Sequence, residues 1–240
     1  MILGWVIVML YNFAFFIIVF FFYSFIGYLI EITSVSLKED KLVFSRGYLI
    51  GPYIPIFGFG AIFMVYYLNK YQEDLLTLFI LGVVSCCILE YFTSLLMEYI
   101  FHLRWWDYSD RKFNINGRVC LENGIFFGLG GILLVKYIHP WLLNVLYSFS
   151  YYWIIVLGSI LFIILLVDFL ISTSMILQLK IDVDSYINKD ATEVLKKELK
   201  KRLEVHAILR KRILRAFPKI IDYSGMKQLQ EILDNNKRRR

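Results

Sequence analysis

Acidic side chains interrupt long apolar stretches of this sequence, and they are among its most informative residues. Glu90 lies deep in the apolar stretch 75–101, and Glu98 follows it two helical turns later. On insertion scales a charged residue inside a membrane span costs about 2.5–3.5 kcal/mol, so each one needs a partner or a function. Such carboxylates could pair with arginines, bind a polar ligand, act as a general base or hold a divalent ion.

Other charged residues stand where apolar stretches begin or end, namely Glu31, Arg46, Arg118 and Glu122. Asp168 interrupts the last stretch. Glu90 and Glu98 share a broad face of one helix, because eight residues leave them about 80° from alignment. We therefore expect them to face Arg46 and Arg118 and to form ion pairs. Alternatively, the pairs only hold helices together, and the end residues lie among lipid headgroups.

Composition indicates where these charges lie. The chain has 240 residues, of which 59% are hydrophobic and 18% aromatic, and its mean hydropathy is +0.62. Soluble domains contain roughly 45–50% apolar residues. The excess predicts an all-α polytopic bundle of transmembrane helices. The three cysteines form neither a CxxC pair nor a metal spacing, so we expect no metal and no cofactor.

Five segments are long and apolar enough to be considered as spans, given that about 20 residues cross a bilayer. They are residues 6–30, 48–68, 75–101, 121–138 and 151–179. With five spans, 24 of the 26 Lys and Arg residues fall on one side. The positive-inside rule then predicts an outside N-terminus and a cytoplasmic C-terminus.

The charge distribution divides the chain into a transmembrane domain, 1–179, and a basic tail, 180–240. The tail holds 17 of the 26 Lys and Arg residues but 9 of the 20 acids. We expect a helical cytoplasmic tail that contacts anionic lipids of the inner leaflet. Packing against a partner protein or a second copy of the chain is the alternative. The sequence has no nucleic-acid recognition motif.

The second span is predicted to be broken. Gly51, Pro52 and Pro55 lie in its first half, where proline removes backbone donors and glycine loosens the helix. Regular helix is expected only over 56–68, too short to span alone. Irregular backbone at membrane depth survives when it is buried in protein or lines a wet cavity. A proline-kinked helix with close packing is the alternative.

The third loop is rich in side chains that form hydrogen bonds. Trp106, Asp107, Tyr108 and Asn114 precede an Asn-Gly pair at 116–117, which favours a turn. The loop could bind a polar ligand, or it could be an ordered amphipathic connector.

Long motifs in residues 20–135 resemble a bacterial family of ABC-transporter permeases of the CmpB type. The matching pieces are Gly27-Tyr28-x-x-Glu31, the Gly- and Pro-rich run 46–61, Leu89-Glu90-Tyr91 with Glu98, Trp106-Asp107-Tyr108-Ser109, Phe113-Asn114 and Gly117-Arg118-x-Cys120-Leu121. The sequence departs from the family at Phe126-Phe127-Gly128. The resemblance implies a multi-pass protein of the bacterial cytoplasmic membrane. It also implies a separate ATPase subunit, because this chain has no Walker A motif.

The leading hypothesis is a transport-type membrane protein with a charged polar cavity open to the cytoplasm and an unknown substrate. The candidate cavity residues are Glu31, Arg46, Gly51, Pro52, Pro55, Glu90, Glu98, Trp106, Asp107, Tyr108, Asn114, Arg118 and Glu122. One alternative is a membrane enzyme or binding protein acting on a phospholipid headgroup at the inner leaflet. Another is a scaffold or regulator without catalysis. The absence of a nucleophile pair, HExxH or DxD-type motif among the candidates favours a non-enzymatic function.

Overall fold

The computed structural model describes residues 2–40, 42, 47–101 and 104–187, and these residues form a helical bundle with one small hairpin. The elements are α1 (Ile2–Glu39), α2 (Pro55–Leu68), a 3₁₀ turn (Asn69–Tyr71), α3 (Leu75–Phe101), β1 (Asn114–Ile115), β2 (Val119–Cys120), α4 (Leu121–Leu133), a π-helical turn (Leu134–Ile138), α5 (His139–Tyr147) and α6 (Tyr151–Ile187). The π-helical turn joins α4 to α5 without a break in the helix.

The first and last helices pack side by side and run in the same direction. The rings of Tyr11 and Tyr151 stack with their centroids 4.8 Å apart. Further along both helices, a Cβ at Gly158 would lie 2.5 Å from the carbonyl oxygen of Ala14. The missing side chain therefore lets the two backbones approach closely.

Helices α2 and α4 run against α3. Met64 of α2 lies beside Gly82 of α3, whereas the earlier Gly60 lies beside the later Leu89. The direction of the chain therefore reverses between successive passages through the bundle, from α1 to α2, α3, α4–α5 and α6. This alternation is what the prediction of five successive segments that cross in alternating directions requires.

The outer surface of the bundle is apolar while polar side chains lie inside it. On α3, Phe92 and Leu96 are exposed, whereas Glu90 and Ser94 are buried. Lipid tails accept the exposed rings and aliphatic chains, while buried polar groups need partners within the protein. The chain is a multi-pass membrane protein.

Four helical stretches are long and apolar enough to cross a membrane: Gly4–Leu37, Leu75–Phe101, Leu121–Tyr147 and Tyr151–Gln178. The predicted bounds were right for 75–101 and too short for the first and fourth helices, the fourth because α5 continues it to Tyr147. Helix α2 has 14 residues, about 21 Å at 1.5 Å per residue, so it is too short to span alone. The five-span count and the orientation stay predictions.

Helix α6 passes through the predicted domain boundary at 179/180 without interruption and ends at Ile187. The predicted contacts of the basic tail with lipid fall mainly on residues 188–240, which lie outside the described residues.

Candidate functional site

A folded hairpin module, residues 104–120, follows the described part of α3 and lies against that helix. Its strands pair antiparallel, with Asn114 opposite Cys120. The backbone N–H of Tyr108 donates to the carbonyl of Gly117 at 2.7 Å, and that of Leu121 donates to the carbonyl of Phe113 at 3.1 Å. The sequence predicts the turn at Asn-Gly but not the two short strands. Strands of two residues give too little alternation to be recognised.

Gly117 is required at the tip of this hairpin for two reasons. Its φ is +66°, in the left-handed region that L side chains rarely adopt. A Cβ at this position would also lie 2.4 Å from Asp107 Oδ1 and 2.4 Å from Ser109 Oγ. The tip therefore folds tightly onto the start of the module.

An ion-pair cluster joins the module to α3, and we define it as Glu98, Arg104, Asp107 and Arg118. Arg118 Nη2 lies 2.8 Å from Glu98 Oε2, and its Nη1 donates to Ser94 Oγ at 3.0 Å. Arg104 lies 3.5 Å from Glu98 and 3.5 Å from Asp107. Both guanidinium groups are largely buried, so each needs these carboxylates to offset its desolvation.

Aromatic side chains hold Arg118 in place. The indole N–H of Trp106 donates to the backbone carbonyl of Arg118 at 2.8 Å. The guanidinium carbon of Arg118 lies 5.8 Å from the centre of the Tyr91 ring, within reach of a cation–π interaction. Asn116 in turn donates to the Tyr91 hydroxyl at 3.0 Å. The arginine is therefore positioned from both α3 and the hairpin.

Glu90 lies one turn before Ser94 on the same face of α3, and it is only 6% exposed. The Tyr108 hydroxyl donates to its Oε1 at 3.0 Å. The other carboxylate oxygen, Oε2, is buried and has no hydrogen-bond partner among the described residues. Burial raises the pKa of Tyr108, and the neighbouring Glu90 raises that pKa further. Tyr108 therefore stays protonated and able to donate.

A second buried carboxylate, Asp168 of α6, binds the irregular segment 47–54 that precedes α2. Its Oδ1 accepts the backbone N–H of Ile50 at 2.8 Å and its Oδ2 that of Gly51 at 2.7 Å. The Tyr53 hydroxyl donates to Oδ2 at 2.6 Å, and the Ser172 hydroxyl to Oδ1 at 2.8 Å. This carboxylate thus satisfies backbone donors that no helix can satisfy there.

The segment 47–54 reaches the interior of the bundle. The backbone N–H of Ile54 donates to the carbonyl of Ser24, in the middle part of α1, at 3.0 Å. Pro55 is the first residue of α2. The expected break before Pro55 is therefore confirmed, and the irregular backbone forms hydrogen bonds with α1 and α6.

Tyr48 connects this segment to the hairpin module. Its hydroxyl forms a hydrogen bond with Thr173 of α6. Its ring lies 5.6 Å from the Trp105 ring and 5.7 Å from the Phe101 ring, measured between centroids. We define the Asp168 network as Asp168 with its donors Ile50, Gly51, Tyr53 and Ser172. This network and the ion-pair cluster are thus neighbouring parts of one polar region.

The structure brings together seven of the predicted residues at the junction of α3 and the module: Glu90, Glu98, Trp106, Asp107, Tyr108, Asn114 and Arg118. Asn114 supports the hairpin itself, accepting from the Gly117 N–H at 2.9 Å. Glu31 of α1 interacts electrostatically with Tyr108. The expected pairing of Glu98 with Arg118 is confirmed, but Glu90 binds Tyr108 instead of Arg118.

The remaining predicted residues lie elsewhere. Glu122 pairs with Arg111 at 3.0 Å, and both side chains are about half exposed. Gly51 belongs to the Asp168 network, and Pro52 is exposed. Arg46 lies outside the described residues.

Three residues that form these polar contacts were missing from the predicted site: Ser94, Arg104 and Asp168. Ser94 could have been found, because it lies four residues from both Glu90 and Glu98 and so shares their face. Asp168 was noted as a charge inside a span, but three of its four partners, Ile50, Gly51 and Tyr53, lie over a hundred positions away. Among the described residues, no cluster of three or more His, Cys, Asp or Glu side chains could hold a metal ion.

These observations define a multi-pass helical membrane protein with a buried polar region at one end of the bundle. The chain belongs to the family described as "Putative ABC-transporter type IV", whose model matches residues 18–173. That range includes the ion-pair cluster, Glu90 and Asp168. No curated protein and no solved structure matches the chain. It is accordingly an ABC-transporter-related membrane protein.

Proposed function

We propose that this chain forms the membrane domain of a transporter, which binds a small polar substrate at the junction of α3 and the hairpin module, open to the cytoplasm. The ion-pair cluster is the observation that carries the proposal. It assembles charges from two separate parts of the chain and buries most of both guanidinium groups, which is costly for a charge. A cluster needed only for folding could be replaced by apolar packing of equal volume at little cost.

The contacts favour a polar substrate over a phospholipid phosphate. Arg118 already binds Glu98 and Ser94, and Arg104 lies beside Glu98 and Asp107. A phosphate would have to compete with these carboxylates for the same guanidinium groups. A substrate with ionic groups can instead exchange partners within the cluster.

Transport needs an energy source that the sequence lacks, since it contains no Walker A motif. We therefore propose a separate ATPase subunit as partner, in keeping with the family. The basic tail would contact anionic lipid on the same side of the membrane. Purification of the tagged full-length chain from its native membrane should then recover an ATPase.

The substrate site is tested by measuring polar metabolites in cells. The strains compared carry a deletion of the gene, the wild-type chain, Arg118→Gln, or the control Arg111→Gln, whose ion pair with Glu122 lies outside the cluster. Untargeted mass spectrometry of the cells and their medium is the readout. We expect Arg118→Gln to reproduce the deletion, and Arg111→Gln to match the wild type.

Other outcomes would support the alternatives. A change in phospholipid headgroups with unchanged polar metabolites would indicate action on lipids. Polar metabolites that differ in the deletion strain but not in Arg118→Gln would contradict the substrate site at this cluster.

A further inference from the structure

Glu90 is a buried carboxyl group whose burial and contacts leave one oxygen unused. It is 6% exposed, and Oε1 accepts a single hydrogen bond, from Tyr108. Oε2 is fully enclosed and accepts none from the part of the chain that the structure describes. An ionised carboxylate in such a place is far more costly than a neutral carboxylic acid, because a charge loses much more solvation than a dipole does.

Among the described residues, the arginines of the polar region pair with other carboxylates. Arg118 and Arg104 pair with Glu98, and no ion pair to Glu90 is formed. The titratable groups of this part of the chain that interact with Glu90 add no positive charge: they are Glu31, Tyr108, Cys86 and Cys87. Repulsion from the Glu31 carboxylate disfavours the ionised form of Glu90, and the single hydrogen bond from Tyr108 only partly offsets the solvation lost on burial.

Oε2 has no accessible surface that could admit a water or a metal ion. A proton needs no such space. We infer that Glu90 is a proton-binding site, and that in this conformation it is a neutral carboxylic acid with its proton on Oε2 and its Oε1 accepting from Tyr108.

The hairpin module controls access to this proton. Tyr108 belongs to the module, and the ion-pair cluster holds the module on α3. If the module moves away, water reaches Glu90, the Oε2–H bond breaks, and the proton passes to that water while its electron pair stays on the carboxylate. The reverse movement requires a proton from the same side. The coupling of proton release to movement of the module rests on the proposed transport function. The proton site itself rests on the surroundings of Glu90.

Infrared spectroscopy of the full-length chain tests the inference through the C=O stretching band of a protonated carboxylic acid. The protein is studied at pH 7 in a detergent without carbonyl groups, in H2O and in D2O. We expect the band in the wild type, its complete loss in Glu90→Gln, and its retention in Glu122→Gln, which removes an exposed, ion-paired carboxylate. Tyr108→Phe removes the donor to Oε1 and should move the band to higher frequency without abolishing it.

A wild-type chain without this band, or a band that survives Glu90→Gln, would overturn the inference. If Glu90→Gln does not fold, the Tyr108→Phe shift decides, and an unmoved band there contradicts the assignment to Glu90. A missing band with the expected metabolite change in Arg118→Gln would contradict the proton site alone. A band lost in Glu90→Gln with no such metabolite change would contradict transport alone.

Discussion

Two buried carboxylates of this bundle have opposite surroundings. Asp168 of α6 accepts four hydrogen bonds, two from backbone N–H groups and two from hydroxyls. Within residues 2–40, 42, 47–101 and 104–187, Glu90 of α3 accepts one, from Tyr108, and keeps an enclosed oxygen without a partner. Both belong to helices that are long and apolar enough to span a membrane.

We propose that Asp168 carries a structural charge, whereas Glu90 has a function as a proton-binding site. Four donors converging on Asp168 stabilise its negative charge in place of water. That charge in turn holds the segment 47–54, where no helical partner exists for the backbone. Glu90 receives no comparable support, so its charge state can change with its surroundings. Similar burial of the two carboxylates thus has different consequences.

The largest effect on stability is expected from Asp168→Asn. In the variant, an amide NH2 group replaces one carboxylate oxygen and faces groups that donate hydrogen bonds to that oxygen. The substitution also removes the charge that strengthens the remaining hydrogen bonds. We expect the free energy of unfolding to fall by about 3 kcal/mol. Thermal unfolding of the purified full-length chain measures this loss, with Glu73→Gln at an exposed position as the control. Equal melting temperatures of the two variants would contradict a structural role for Asp168.

Tyr53→Phe removes one of the four donors on Asp168 and leaves the other three. A hydrogen bond to a charged group contributes about 1.5–3 kcal/mol, and we expect a loss near the lower end of that range. Combining it with Asp168→Asn should cost much less than the sum of the two, because both act on one interaction. Additive losses in this double-mutant cycle would mean that the two side chains act separately.

Arg118→Gln should loosen the hairpin module locally and leave the Asp168 network intact. It removes the 2.8 Å partner of Glu98, but that carboxylate is about one-third exposed and keeps Arg104 at 3.5 Å. We therefore expect a loss of about 1 kcal/mol, less than for a fully buried ion pair, concentrated in residues 104–120. Amide hydrogen exchange followed by mass spectrometry locates the change. Faster exchange in 47–54 but not in the module would contradict this separation.

The smallest effect on stability is expected from Asp74, an exposed carboxylate. It caps the start of α3 from the position just before the helix, accepting from the Thr77 N–H at 3.1 Å and from the Thr77 hydroxyl at 2.6 Å. The Thr77 hydroxyl and N–H lower the pKa of Asp74 below its usual value. Its stabilising effect is therefore present above the usual pKa and is lost as pH falls through the lowered one. Asp74→Asn should flatten this acid dependence slightly in thermal unfolding, and an unchanged pH profile would contradict the cap.

The helices were predictable because long apolar stretches leave few alternatives, and α3 was predicted with its observed bounds. The break before Pro55 was also predictable, because proline and glycine disrupt a helix through their own local backbone. The hairpin of 104–120 was not predicted, because its strands are held by a turn and by contacts with α3. Glu90 was identified as a costly charge, but only the tertiary arrangement distinguishes it from Asp168, three of whose four partners lie over a hundred residues away.

The comparison is tested most directly by the melting temperature of Glu90→Gln, measured beside Asp168→Asn in the full-length chain at pH 7. Glutamine has the shape of a protonated glutamic acid and can still accept from Tyr108. We expect Glu90→Gln to melt within about 1 °C of the wild type or above it, since a loss of only a few tenths of a kcal/mol moves the melting temperature that little. Asp168→Asn should melt several degrees lower. A loss in Glu90→Gln as large as that in Asp168→Asn would show that Glu90 is a structural charge too.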